Sequence, residues 1–265
     1  MKIFDYFILL FSKHWFNPFF TCWINFRFLP FRQAIHLPIL VWGMPKILAI
    51  SNDFKMFLDY GIIKRGLIKI NRTSAFTSHS GGHTEFLLCG KIIFKGSVFL
   101  GSGTRLLSYS NSTIVFGNKN IIAQQCTISS SEKLILEDNV RIGSKVQIMD
   151  SSMHFVYHSD ERKVDKVSSP IVIKHNTWIA NGASIYKGSI LPPYSTVAGG
   201  SMVNKDFSKE DEGTCFVGIP AKPRIRNFYR IQSVDEEMRL IEYFSKYGED
   251  SYYYDQEPPL TIFDA

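Results

Sequence analysis

The sequence predicts an all-β chain wound as a parallel β-helix. The first observation is a period of six: Ile173, Ile179, Ile185, Leu191, Val197 and Val203 are evenly spaced. An α-helix repeats every ~3.6 residues and a flat strand every ~2, so neither yields that interval. The second is a set of small residues, Thr177, Ala183, Ser189, Ser195 and Ser201, each four places after an aliphatic one. Each hexad then forms one side of a three-sided coil, with the aliphatic side chain in a narrow core and the small residue in the corner.

Residues 1–85 read as a cap on the coil stack. Eleven Phe or Trp stand within the first 31 positions, from Phe4, Phe7 and Phe11 through Trp15, Phe16, Phe19, Phe20, Trp23, Phe26 and Phe28 to Phe31. Lys2, Lys13, Arg27 and Arg32 are interleaved with them. Two readings stand: an interfacial segment with aromatic and basic sides, making peripheral membrane contact through residues 1–31, or a helical cap burying its rings against the first coil or a neighbouring subunit. Pro18, Pro30, Pro38 and Pro45 cut the region into short pieces. Phe7 to Phe11 is too short and poorly flanked for a signal peptide. No stretch reaches the ~18 apolar residues of a spanning helix.

The repeat domain is expected over 86–207. Leu88, Phe94, Leu100 and Leu106 keep the six-residue step, as do Phe116, Ile122 and Ile128, with Cys126 at a corner. For Leu88 to Leu106 alone, an ordinary sandwich strand remains open. Leu136, Ile142 and Ile148 follow, with Val140 and Val146 in the small-residue slots. Interruptions near 107–115 and 129–135 are expected to bulge from corners. A longer one, 149–172, is the candidate active-site loop, since rigid scaffolds commonly position functional loops. Residues 208–265 complete the chain. There Ser233 and Glu236 form a capping box, Met238, Leu240, Ile241 and Phe244 give a short helix an apolar face, and Gly248 ends it. The acidic, Tyr-rich tail from Glu249 is expected to be loose or docked on a partner.

The net charge of +6 suits an anionic partner, or plain solubility. It forms no stripe of the kind nucleic acid needs, so no nucleic-acid partner is expected. The four cysteines, Cys22, Cys89, Cys126 and Cys215, make neither a metal pair nor a disulfide ladder. They fit a reducing, cytoplasmic setting, with the protein peripheral at the inner face of the membrane if residues 1–31 touch lipid.

Four stretches carry a resemblance: MDSSMHFVYH, SSPIVIKHNTWIANGASI, STVAGGSMVNKD and GIPAKPRIR. Over roughly residues 115–227 the chain resembles the hexapeptide-repeat acyltransferases, and among them sugar O-acetyltransferases such as galactoside and maltose acetyltransferase. The resemblance implies a left-handed parallel β-helix, a homotrimer, and acetyl-CoA in a groove between subunits, with no metal required. The implied activity is acetyl transfer to a sugar hydroxyl in bacterial surface polysaccharide or lipopolysaccharide biosynthesis.

By this resemblance His154 is the general base, a role that needs a group titrating near neutrality. The backbone N–H of Asn181 would hold the oxyanion or the thioester. It follows Trp178-Ile179-Ala180, where relatives carry Trp-Ile-Gly. Ala180, Gly199 and Asn204 would line the pantetheine arm. Lys205, Lys222 and Arg224 would lie near the phosphates. The segment between Asp206 and Gly218, with Lys209, Glu210, Asp211 and Glu212, is longer than usual. Gln124, Gln125, Asp150 and Trp178 are the acceptor-binding candidates, while Ser152 is an alternative partner for the imidazole and His158 is structural or substrate-facing. Three other readings stay open: an N-acetyltransferase of an amino-sugar nucleotide; a γ-carbonic-anhydrase-like zinc enzyme using His154, His158 and His175, with His79 and His83 earlier; and an inactive scaffold.

Overall fold

A computed structural model describes residues 15–73 and 82–264. Phe4, Phe7, Phe11, Lys2, Lys13 and His79 lie outside them. The described chain is a triangular prism of stacked coils whose three faces are sheets of parallel strands, the first ending on one antiparallel strand. The first face holds nine strands from Ile39–Val41 to Ala221–Ile225, the second seven from Lys46–Ile50 to Met202–Val203, and the third six from Lys55–Leu58 to Ile190–Leu191.

The six-residue period maps directly onto this prism. Ile179 pairs with Val197, Ile185 with Val203 and Ile173 with Leu191, so three hexads make one coil. All six aliphatic residues are fully buried, and Thr177, Ala183, Ser189, Ser195 and Ser201 are buried at the corners. Burying one such aliphatic side chain is worth roughly 1.5–3 kcal/mol. Leu88, Phe94, Leu100 and Leu106 belong to second, third, first and second faces in turn, so this run is coil and not sandwich.

The stack begins before residue 86. Ile39–Val41, Lys46–Ile50 and Lys55–Leu58 form a first coil, and Ile68–Arg72 opens a second. The expected cap over 1–85 is therefore confined, among described residues, to those before Ile39. Residues 59–67 lengthen the connection there, and Arg72 and Glu85, which end one strand and begin the next, stand too far apart in sequence to keep the six-residue interval. The interruption at 129–135 is also not a corner bulge. Ile128 and Leu134 keep the step, but strand Lys133–Leu136 turns both Leu134 and Leu136 inward, so the third face is longer. Near 107–115 the corner is widened by the turn from Tyr109 to Ser112.

Helix α1 (Pro18–Phe28) closes the first coil with polar side chains. Asn25 Nδ2 donates to Ile39 O at 2.7 Å, Asn25 Oδ1 accepts from Ile39 N at 3.1 Å, and Thr21 Oγ1 accepts from Val41 N at 3.0 Å. These groups replace the neighbouring strand that Ile39–Val41 lacks. Several rings consequently point outward: Phe19 is 82% and Phe31 72% exposed, and Phe26 is also exposed. The cap reading holds for the helix, but only in part for its rings: Phe20 and Phe28 pack against the core, Phe28 edge-on to Phe54 at 5.0 Å, while Phe19 and Phe26 do not.

At the other end, Cys215–Gly218 is paired antiparallel by the return strand Ala221–Ile225. Helix α2 (Phe31–Ala34) follows α1, and α3 (Val234–Tyr247) follows the return strand. Ser233 Oγ accepts from Glu236 N at 3.3 Å, and Gly248, at φ 65, donates to Phe244 O. The capping box is one-sided, because the Glu236 carboxylate goes to Arg239 and Tyr254. Val234, Met238 and Ile241 leave the apolar face of α3 exposed. The tail docks on its own chain: Ile262 O accepts from Gln232 N and Ser233 N, and Asp264 Oδ1 accepts from Tyr194 OH at 2.6 Å and Asn176 Nδ2 at 2.9 Å.

Candidate active site

His154 stands on an arm that leaves the second face after Gln147–Met149 and rejoins the third at Ile171–Ile173. The arm is a hairpin. Ser151 bridges Ser168, Ser152 N donates to Val167 O at 3.0 Å, and Tyr157–His158 pairs antiparallel with Lys163–Val164. Its base is fixed from three sides. The fully buried Asp150 carboxylate accepts from Ser130 Oγ at 2.7 Å, Ser131 N at 2.6 Å and Glu132 N at 3.0 Å. Glu132 takes Lys166 and Ser168, both at 2.8 Å, and the Lys166 ammonium holds its carboxyl below the usual carboxylate range. Lys187 Nζ donates to Lys166 O at 2.7 Å.

Above this base the arm is exposed, and so is His154. Met153 adopts φ 62, a left-handed conformation disfavoured for a long side chain, which turns the chain outward just before the histidine. Ser152 Oγ donates to the His154 carbonyl at 3.1 Å and not to its ring. Among the described residues no group hydrogen-bonds the imidazole. His158 differs: its Nε2 lies 2.8 Å from Asp165, which also meets Lys163 at 3.2 Å.

Ala180, Asn181 and Gly199 stack at the corner between first and second faces. Ala180 N donates to Val197 O at 2.9 Å, Asn181 O accepts from Gly200 N at 3.1 Å, and Asn181 Oδ1 accepts from Ser144 N at 2.8 Å. The Asn181 N–H has no acceptor among the described residues. Asn204 and Lys205 follow strand Met202–Val203 and are exposed, at the same corner as the arm. Lys222 and Arg224 are exposed on the return strand. The unusually long segment before Gly218 folds back, and its Glu210 (3.2 Å) and Asp211 neutralise Arg226, leaving Lys222 and Arg224 outside that cluster.

Trp178 lies on the first face between Arg141 and Thr196, with the Arg230 guanidinium 5.9 Å from its ring centre. One chain thus puts His154, Asn181 and Trp178 at two corners and a face, and does not bring them together.

Two acceptor candidates are corrected by their positions. Asp150 is sealed inside the prism with three donors, so it anchors the arm and meets no substrate. Gln124 is also buried, in the interior of the first–second corner, and neither of its amide atoms finds a partner. Gln125, at φ 58, sits beside it and is only half-buried. The inward alternation Asn120, Ile122, Gln124, Cys126 carries Gln124 inside. Sequence reasoning missed Glu132 and Lys187, because their partners are distant in sequence and no local motif marks them.

The three histidines considered for zinc are separated. His154 and His158 share the arm, while His175 is at the third–first corner, 3.3 Å from Glu137 and edge-on to Tyr194. Among the described residues no three metal-ligating side chains converge.

No family model matches the chain. Among curated proteins it is 26% identical over 141 residues to the "Putative lipopolysaccharide biosynthesis O-acetyl transferase WbbJ" of Escherichia coli (strain K12), spanning 50% of this chain and 70% of that one. The chain resembles the hexapeptide-repeat sugar O-acetyltransferases. Solved acetyltransferases include the polySia-specific NeuO, with a TM-score of 0.47 and 17% identity over 80% of this chain and 95% of that one. The polysialic acid O-acetyltransferase OatWY gives a TM-score of 0.43 and 14% identity over 75% and 96%.

Proposed function

We propose that this chain transfers an acetyl group from acetyl-CoA to a sugar hydroxyl in the synthesis of a bacterial surface glycan, with His154 as general base. The observation that carries this reading is the unpartnered imidazole on an exposed arm whose base is stapled to the prism. His154 takes the proton of the hydroxyl as that oxygen bonds to the acetyl carbon. The Asn181 N–H receives the oxyanion. When the carbon–sulfur bond breaks, the imidazolium returns its proton to the leaving thiolate.

Ala180, Gly199 and Asn204 line the coenzyme's arm in this reading, and Lys205, Lys222 and Arg224 meet its phosphates. Trp178 and Gln125 face the acceptor. Since one chain separates these groups, the working form is a homotrimer whose sites lie between copies. The exposed Phe155, Val156 and Tyr157 on the arm and the bare face of α3 support such burial. The outward rings Phe19, Phe26 and Phe31 beside Arg27 and Arg32 support peripheral contact at the inner face of the membrane. No helix of the described residues is long and apolar enough to cross it.

The test is acetyl transfer followed by mass spectrometry on parallel hydroxyl and amine acceptors. His154→Ala should lower turnover by roughly 10²–10⁴-fold without moving the thermal midpoint. Near-normal turnover would overturn the assignment of the base, and transfer to amines alone would favour the N-acetyltransferase reading.

A further inference from the structure

The first face carries a straight outward column of which the acyl-transfer reading uses only the last member, Trp178. Lys69 pairs in register with Phe99, Phe99 with Ile121, Ile121 with Arg141, and Arg141 with Trp178. Four steps at the spacing of neighbouring strands make this column about 19 Å long. Its first four members, with Lys64 and Lys119, line a cleft of about 430 Å³ whose wall contains no carboxylate.

Among the described residues, no carboxylate is within ion-pair distance of Lys64, Lys69 or Arg141. Arg141 is half-buried, and its Nε has only the Asn139 side-chain oxygen, at 3.4 Å. Burial, and then the like charge of Arg230, push its guanidinium below its ordinary value. Glu237, paired with Arg230 at 3.0 Å, partly offsets this, so the cations left for an anionic ligand are Lys64 and Lys69, with the Arg141 guanidinium in the same cleft. The alternation of cations with Phe99, Ile121 and the Trp178 ring suits a ligand with apolar ring faces and charged substituents. The column's length favours an extended chain over a single ring.

We propose that this cleft binds an acidic saccharide, several sugars long, and leads it to Trp178. The proposal rests on the reading of the chain as a sugar acetyltransferase, since it names the class of acceptor.

The test is calorimetric titration of the full chain, without coenzyme, using a hexasaccharide of galacturonic acid, its methyl ester and maltohexaose. The acid should bind best, and its binding should weaken with added salt. Lys64→Gln and Lys69→Gln should each weaken it roughly two- to fivefold. Both are surface changes on non-catalytic residues, with folding checked by thermal unfolding. Equal binding of acid and ester, or unchanged binding by both variants, would overturn the cleft. So would displacement by inorganic phosphate at equal concentration, which would reduce it to a general anion site. These readouts need no turnover. Acid-selective binding with no acetyl transfer to any saccharide would support the cleft and sink the enzymatic reading; acetyl transfer without acid-selective binding would do the reverse.

Discussion

Glu132 grips Lys166 at 2.8 Å across a sequence separation of 34, tying the returning leg of the His154 arm to the coil beneath it. The Glu132 carboxyl is held below its ordinary value in the folded chain, so this stabilisation is present above the ordinary carboxylate range and lost as pH falls through the lowered value. The pair is partly exposed, and its worth is at most ~1 kcal/mol. Acidification should therefore loosen the arm before the prism unfolds. Hydrogen exchange at residues 153–165, followed against pH, should show that step. Glu132→Gln should exchange faster at neutral pH and show no such step.

Asp150 distinguishes an anchor from a substrate contact. Asp150→Ala strands three donors in the interior, which should cost about 2–4 kcal/mol. Thermal unfolding should show a large drop in midpoint. Unchanged stability with a raised KM would instead restore the substrate role.

Two glycines separate crowding from backbone strain. A Cβ on Gly101 would sit 2.6 Å from Ala123 C, 2.8 Å from Ala123 O and 2.9 Å from Gln124 N, all backbone of the next coil. Gly182 is at φ +70 with nothing within 4 Å. Gly182→Ala should cost only the left-handed conformation, about 1–2 kcal/mol. Gly101 is not in the left-handed region, and Gly101→Ala must instead separate two coils and should cost clearly more. Denaturant midpoints of the two variants check the order.

Tyr194 OH bonds Asp264, and that bond is the main reason its phenol is pushed above the ordinary tyrosine value. Tyr194→Phe should release the docked end of the tail at a cost of about 1 kcal/mol. Faster hydrogen exchange at Ile262, with little change elsewhere, is the expected signature.

The prism was legible wherever one inward residue fell on each side of a coil. From Ile173 to Val203 every corner has the same length, so the period survives and the sequence reads as geometry. It failed where corners grew, as between Leu58 and Ile68, and where a face took two inward residues, as at Leu134 and Leu136. The arm was legible as an interruption, and His154 as the group within it. What holds the arm was not, because Glu132, Asp150 and Lys187 act through contacts between coils. Asp150 and Gln124 were misplaced because neither nearness to the histidine nor a match to relatives fixes inward or outward orientation. The tail was misjudged because its composition resembles solvated segments, while a few groups, Ile262 and Asp264 among them, suffice to dock it.

A stack of parallel strands is a ready template for further strands, and another copy of the same chain would fit it best. On the first face Ile39–Val41 is occupied by Thr21 and Asn25, and at the other end the last strand, Ala221–Ile225, runs antiparallel to Cys215–Gly218. Continuation of the parallel stack into fibres is thereby opposed at both ends of that face, and concentrated protein should remain as particles of fixed size.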